Sequence, residues 1–298
     1  MSRSSAPLNA YAAAIAGIAF FSVMDMVMKG LTLAIGTYPT MLWRAGLGVG
    51  LAGALFLYHR PPWPAAATLR LHVFRGAITT VMALLFFWGL ARVPMAQAVA
   101  LTFIAPLIAL FLAALLLREP IGQRTIVGSL AAFAGVVMIF IAQARSDLGP
   151  EALLGSVAIL CSAAIYAYNI VLMRQQALAA RPVEIAFFQN LTVAGVLLLA
   201  LPLAGAPPLP VGHGVELGIA ALLALASQLL LAWAYARAGA AYLSTTEYSS
   251  FLWAVVLGWL AFGESVSLFT LAGAALIVTG CIVAARARIE HPALEATA

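Results

Sequence analysis

Long apolar runs broken by short polar stretches dominate the chain. A helix needs about 20 apolar residues to cross a hydrocarbon core of ~30 Å. Read between Pro, Gly and charged punctuation, runs of that length fall near 11–33, 38–58, 72–91, 94–117 and 124–142. A second set falls near 152–173, 184–204, 215–236, 241–262 and 267–285. Membrane β-strands alternate apolar and polar positions over ~10 residues, and no segment does so. The pattern predicts an all-α integral membrane protein of ten transmembrane helices with almost no extramembrane domain. Small-residue patterns near Ala10–Ala14 resemble a signal-peptide cleavage site. Cleavage there would leave nine spans and break the repeat described below, so the first run is read as an uncleaved helix.

Composition supports this reading. Of 298 residues, 64% are hydrophobic and 8% charged, with mean hydropathy +1.06. Soluble domains run at about 45–50% apolar and about 25% charged, so a soluble enzyme, a disordered chain and a disulfide scaffold are all excluded. The net charge of +5 does not imply nucleic acid, because the basic residues are scattered and form no stripe. Short loops rich in Arg and Lys mark the cytoplasmic side of a membrane protein. Alternate connections carry Arg3; Arg60, Arg70 and Arg75; Arg118 and Arg124; Arg174 and Arg181; Arg237; and Arg286 and Arg288. The opposite connections carry only Lys29, Arg92 and Arg145. Both termini are expected in the cytoplasm. Cys161 and Cys281 lie inside apolar runs and suggest neither a disulfide framework nor a metal site.

The chain also repeats itself. Sliding it by 145 residues aligns Trp88–Gly135 with Trp233–Gly280 without a gap, and 12 of 48 positions are identical. The informative matches are Trp88/Trp233, Arg92/Arg237, Glu119/Glu264, Thr125/Thr270, Gly128/Gly273 and Gly135/Gly280. The halves are 1–145 and 146–298. Five spans is an odd number, so the two halves cross the membrane in opposite senses, as two inverted five-helix repeats. That architecture belongs to many secondary transporters, whose substrate sits near the midplane between halves.

The stretches LLLREPIGQRTIVGSLAAFAGVVMI and GWLAFGESVSLFTLAGAALIVTGCIV each place an acidic turn before a Gly-rich last helix. In this the chain resembles the drug/metabolite transporter superfamily of the EamA type, over nearly its whole length. Within it the sequence is most similar to bacterial aromatic amino-acid exporters. The resemblance implies an amino-acid substrate, aromatic or neutral, moving outward across a bacterial inner membrane.

Ionisable groups within spans are costly and mark candidate sites. Asp25, Arg44 and Glu247 are the three that the span pattern places deepest. At 1.5 Å per residue Asp25 and Arg44 sit about 9–12 Å inside the outer surface. They are expected to pair across the first two helices, as a gate or a structural salt bridge; an Asp25–Lys29 pair is the alternative. The repeat maps Asp25 onto Asn169 and Arg44 onto Gln189, predicting a neutral amide pair at the inner constriction with Tyr168 beside it. Glu247 maps onto Thr102, and Tyr242 onto Gln97. Glu247 is expected either to bind a substrate ammonium or carry a coupling proton in a midplane cavity, or to bond Tyr248 or Ser250 for packing. Arg92 with Glu264, and Arg237 with Glu119, are expected as matched structural ion pairs. Trp43, next to Arg44, is a candidate path-lining residue. No P-loop, His pair or acidic metal cluster appears, so no ATP, metal or cofactor is expected, nor an enzyme. The reading is a secondary transporter that moves a small zwitterionic or amphipathic metabolite by alternating access. A transporter of drugs or other metabolites, or a channel, stands as the alternative.

Overall fold

The computed structural model describes residues 5–105, 107–108, 123–144, 149–238, 243 and 246–289, and the regular elements among them are helical. In chain order these are α1 (Ser5–Ile35), α2 (Thr37–His59), α3 (Ala66–Leu90), α4 (Met95–Thr102), α5 (Gln123–Ala144), α6 (Gly149–Ala179), α7 (Pro182–Leu199), α8 (Gly214–Arg237), α9 (Ser249–Phe262) and α10 (Leu268–Ile289). A single extra turn, Leu201–Ala204, follows α7. The breaks have local causes. Gly36 at φ 88° separates α1 from α2, and Gly263 at φ 64° ends α9, both in the left-handed region that glycine enters at little cost. Pro182 opens α7, at the helix position where its missing N–H is not needed.

Six helices (α1, α2, α3, α6, α7 and α8) are long and apolar enough to cross a membrane; α5, α9 and α10 contain shorter apolar stretches. Their outward side chains, such as Phe133, Leu130, Trp259 and Leu260, are exposed, as lipid-facing positions require. The later part of the expected fourth span, with Pro106 and Glu119, lies outside the described residues, as does Tyr242.

Helix packing repeats across the halves. α1 packs on α8 and α3 packs on α6, so the first helix of each half meets the third of the other, while α2 packs on α7 and α5 on α10. The α5–α10 crossing uses the repeated glycines themselves. A Cβ on Gly135 would lie 2.5 Å from the Gly273 carbonyl oxygen, and one on Gly280 would strike the Gly128 carbonyl. The pair 128/280 maps onto 273/135 under the 145-residue shift, so the crossing is built twice from one pattern. Small residues let helix backbones approach this closely in a membrane.

Long-range contacts also define two ends. Lys29, near the end of α1, meets Val93 and Glu264, and Arg92, just after α3, meets Glu151 at the start of α6. At the other end, His72 near the start of α3 meets Glu184 near the start of α7. There, too, Arg174 of α6 meets Tyr235 and Ala238 at the end of α8. Thus α1 finishes at the end where α6 begins. We refer to these as the Lys29 end and the Arg-rich end.

Candidate functional site

Two sets of buried polar residues of opposite character lie inside the bundle. The first consists of side chains on α1, α2, α7 and α8 that keep unpartnered polar atoms. Asp25 (α1) and Arg44 (α2) are buried, at 5% and 8% exposure. Counted along their helices at 1.5 Å per residue, they lie about 15 and 10 Å from the Lys29 end. They are near enough to act on each other electrostatically, yet they form no direct ion pair: Asp25 Oδ1 and Arg44 Nε are both buried without a hydrogen-bond partner. The expected gate pair is therefore not closed. Lys29 does not take Asp25 either, because its ammonium is held by Val93 and Glu264. Gln189, on α7 alongside α2, has both ends of its amide buried and unpartnered, and Ser227 Oγ on α8 is in the same condition. The neighbouring Asn190 donates to Gln228 at 3.2 Å, tying α7 to α8. Gly48 of α2 abuts that amide: a Cβ there would lie 2.7 Å from Asn190 Cγ.

The second group joins α3, α6 and α7, and its members are matched to one another. Arg75 Nε donates to Asn169 Oδ1 at 3.1 Å, and its Nη1 donates to Gln176 Oε1. Thr79 donates to the same Asn169 oxygen at 3.3 Å. Gln176 bonds His72 Nδ1, and His72 Nε2 bonds Glu184 at 3.0 Å. The expected Asn169–Gln189 pair is thus not formed. Asn169 is taken by Arg75 and Thr79 of α3, whereas both ends of the Gln189 amide are without a partner. Arg75 and His72 also prove to be interior residues, buried at 8% and 0% exposure. Arg75 reads in the sequence as a loop charge marking topology, and His72 as a span-end residue.

Glu247, just before α9, accepts hydrogen bonds from Tyr166 of α6 at 3.0 Å and Tyr235 of α8 at 3.1 Å. Those two tyrosines replace the expected Tyr248 or Ser250 side chains. Ser250 bonds the Glu247 carbonyl instead, and the Tyr248 ring packs edge-on to Phe103 at 5.2 Å. Tyr235 lies two residues from the end of α8 and Tyr166 near the middle of α6. Arg75 lies within electrostatic reach of Tyr166.

The surface pairs differ from expectation. Glu264 joins Lys29, and its second oxygen accepts the Met95 backbone N–H at 2.7 Å, satisfying the open start of α4. Arg92 pairs with Glu151 at 2.8 Å. What does repeat is a Trp–Arg clasp. Arg92 lies 3.6 Å from the Trp88 ring centroid and Arg237 lies 4.0 Å from that of Trp233. In each, the guanidinium also donates to the tryptophan carbonyl one turn back. The expected Glu119 partner of Arg237 lies outside the described residues, as does Tyr242.

The remaining candidates are dispersed. Trp43 donates from Nε1 to the Pro208 carbonyl at 3.0 Å and so fastens the α7–α8 connection. Gln97 is buried and bonds Ser156 at 3.2 Å. Thr102 bonds the Val99 carbonyl one turn back. Tyr168 is 36% exposed, its ring edge-on to Phe74 at 6.3 Å. Among the described residues no cluster of three or more His, Cys, Asp or Glu could hold a metal ion.

Residues 8–141 and 153–286 each match the profile of the EamA-like transporter family. The chain is 30% identical over 288 residues to a riboflavin transporter of Rhizobium johnstonii, covering 90% of this chain and 87% of the relative. It is 26% identical over 274 residues to the pseudopaline exporter CntI of Pseudomonas aeruginosa, covering 90% and 93%. A solved crystal structure, described only as that of a protein, shares the fold with a TM-score of 0.62 at 22% identity, over the whole of both chains. Neither named relative is named for amino-acid export, so the narrower likeness gains nothing from them.

Proposed function

The chain belongs to the EamA-like transporter family of membrane transporters, and we propose that it exports amino acids, aromatic and neutral ones foremost, from the cytoplasm by alternating access. In this reading ten spans form two inverted halves in a bacterial inner membrane, with both termini cytoplasmic.

One observation carries the choice of substrate class: the Asp25, Arg44 and Gln189 side chains are buried with polar atoms unmatched. Leaving such groups unpaired costs about 1–3 kcal/mol each, more for charges. A zwitterion supplies what they lack. Its carboxylate suits the planar guanidinium of Arg44, its ammonium suits Asp25, and the Gln189 amide is a further buried group free to donate or accept. Glu247, held by two phenols and in no ion pair among the described residues, is our candidate for a coupling proton.

A riboflavin-like or pseudopaline-like cargo is the second reading, favoured by the two relatives' names. Purified protein in liposomes decides between them. Saturable counterflow of labelled phenylalanine or leucine, not competed by riboflavin, is the expected result. Counterflow of riboflavin alone would replace the amino-acid reading, and flux without counterflow would indicate a channel. A Glu247→Gln variant that keeps counterflow but no longer responds to a pH gradient would support the proton role. An unchanged response would remove it.

A further inference from the structure

Lys29 and Asp25 lie four residues apart on α1, which places them one helical turn apart on the same face. The Lys29 ammonium is buried, donates to the Val93 carbonyl at 2.7 Å and pairs with Glu264. Glu264 stands just beyond α9, so this contact ties the first half of the chain to the second at the Lys29 end. Separating the halves there breaks the Lys29–Glu264 bond. A buried cation that loses its partner needs another anion nearby. On its own helix face Lys29 has one carboxylate in reach, and that is Asp25, whose Oδ1 has no partner.

The repeat shows that this arrangement is one-sided. Arg174 stands 145 residues after Lys29, and Ala238 stands 145 after Val93. Arg174 donates to the Ala238 carbonyl at 3.1 Å just as Lys29 donates to that of Val93. The cation and its carbonyl are therefore present at both ends. However, the residue four before Arg174 is Ile170, and the adjacent Asn169 is taken by Arg75. Only Lys29 has a second carboxylate beneath it.

We propose that Lys29 is a gating residue that changes partner during transport, bonding Glu264 when the Lys29 end is closed and Asp25 when it is open. This rests on the reading of Asp25 as a substrate contact. With the gate open, the Lys29 ammonium takes the carboxylate from the cargo's ammonium, releases the cargo and opposes its rebinding. The bias is toward export.

The test measures accessibility and needs no knowledge of the cargo. In a Cys161→Ala, Cys281→Ala background, Ser22→Cys places one buried thiol less than a turn deeper than Asp25. Its labelling by a membrane-impermeant thiol reagent is followed from the Lys29 side. Glu264→Gln raises the labelling rate and Asp25→Asn lowers it, each about tenfold or more, the scale of one hydrogen bond to a charged group. Lys29→Arg stays near the parent rate. Melting temperatures identify which variants are folded, and Glu264→Asp replaces Glu264→Gln if the latter does not fold. Labelling unchanged by either carboxylate variant, or shifted the same way by both, overturns the switch. Opposite shifts in a protein that fails amino-acid counterflow uphold the switch and remove only the cargo assignment.

Discussion

The two buried polar groups contain the same kinds of residue and are finished differently. Between α3, α6 and α7, Arg75 has an acceptor at each of two nitrogens, and the bonds continue through Gln176 and His72 to Glu184. Between α1, α2, α7 and α8, Asp25, Arg44, Gln189 and Ser227 each bury at least one polar atom with nothing to bond. In an apolar medium an incomplete polar network is worse than none. The matched group therefore reads as scaffold and the unmatched one as a site whose missing partner is the cargo. Strength of charge does not separate them, because each contains a buried arginine.

Mutations that break this contrast should act on different observables. The largest effect is expected from neutralising both charges of the open group. Asp25→Asn/Arg44→Gln should lower transport about 100-fold, as loss of contacts worth roughly 2–5 kcal/mol implies, with the melting temperature maintained or raised because two poorly compensated buried charges are gone. Transport near the wild-type rate would mean that the open group is not the site. Next comes the scaffold. Arg75→Leu leaves the acceptors of Asn169 and Gln176 buried without their cation and should cost about 2–3 kcal/mol in a detergent unfolding titration. An unchanged midpoint would show that the network is not holding the helices. A third variant, Gly135→Ala, puts a methyl group against the Gly273 carbonyl. It should destabilise by about 1–3 kcal/mol, as overpacking does; a neutral result would show that the crossing can spread. The smallest effect is expected at Tyr168, exposed and outside both groups. Tyr168→Phe should change stability by less than about 0.5 kcal/mol and leave transport as it was.

Much of the fold could be read from the chain. Apolar run length located most of the helices, and the 145-residue shift picked out the glycines that meet as Gly128/Gly280 and Gly135/Gly273 and the Trp and Arg of the two clasps, though not the contacts they make. Lateral neighbours were not legible, because depth along a helix does not say which way a side chain faces. Asn169 and Gln189 share a repeat relation with Asp25 and Arg44, yet Asn169 is bonded to Arg75 while Gln189 has no partner. Arg92 and Glu264 share one end, but Arg92 reaches Glu151 and Glu264 reaches Lys29. Glu247 shows the same limit. Its partners Tyr166 and Tyr235 come from two other helices, 81 and 12 residues away in sequence. Arg75 and His72 were hidden by their place near the start of a span, where a basic residue usually marks topology. Their burial follows from the acceptors that α6 and α7 bring across to them.

The most direct measurement of the central claim is equilibrium binding of a labelled neutral amino acid to purified protein, with wild type, Arg44→Gln and Tyr168→Phe compared at matched stability. Saturable binding to wild type and Tyr168→Phe, with loss in Arg44→Gln, is what the unmatched group predicts. Equal binding by all three would contradict it.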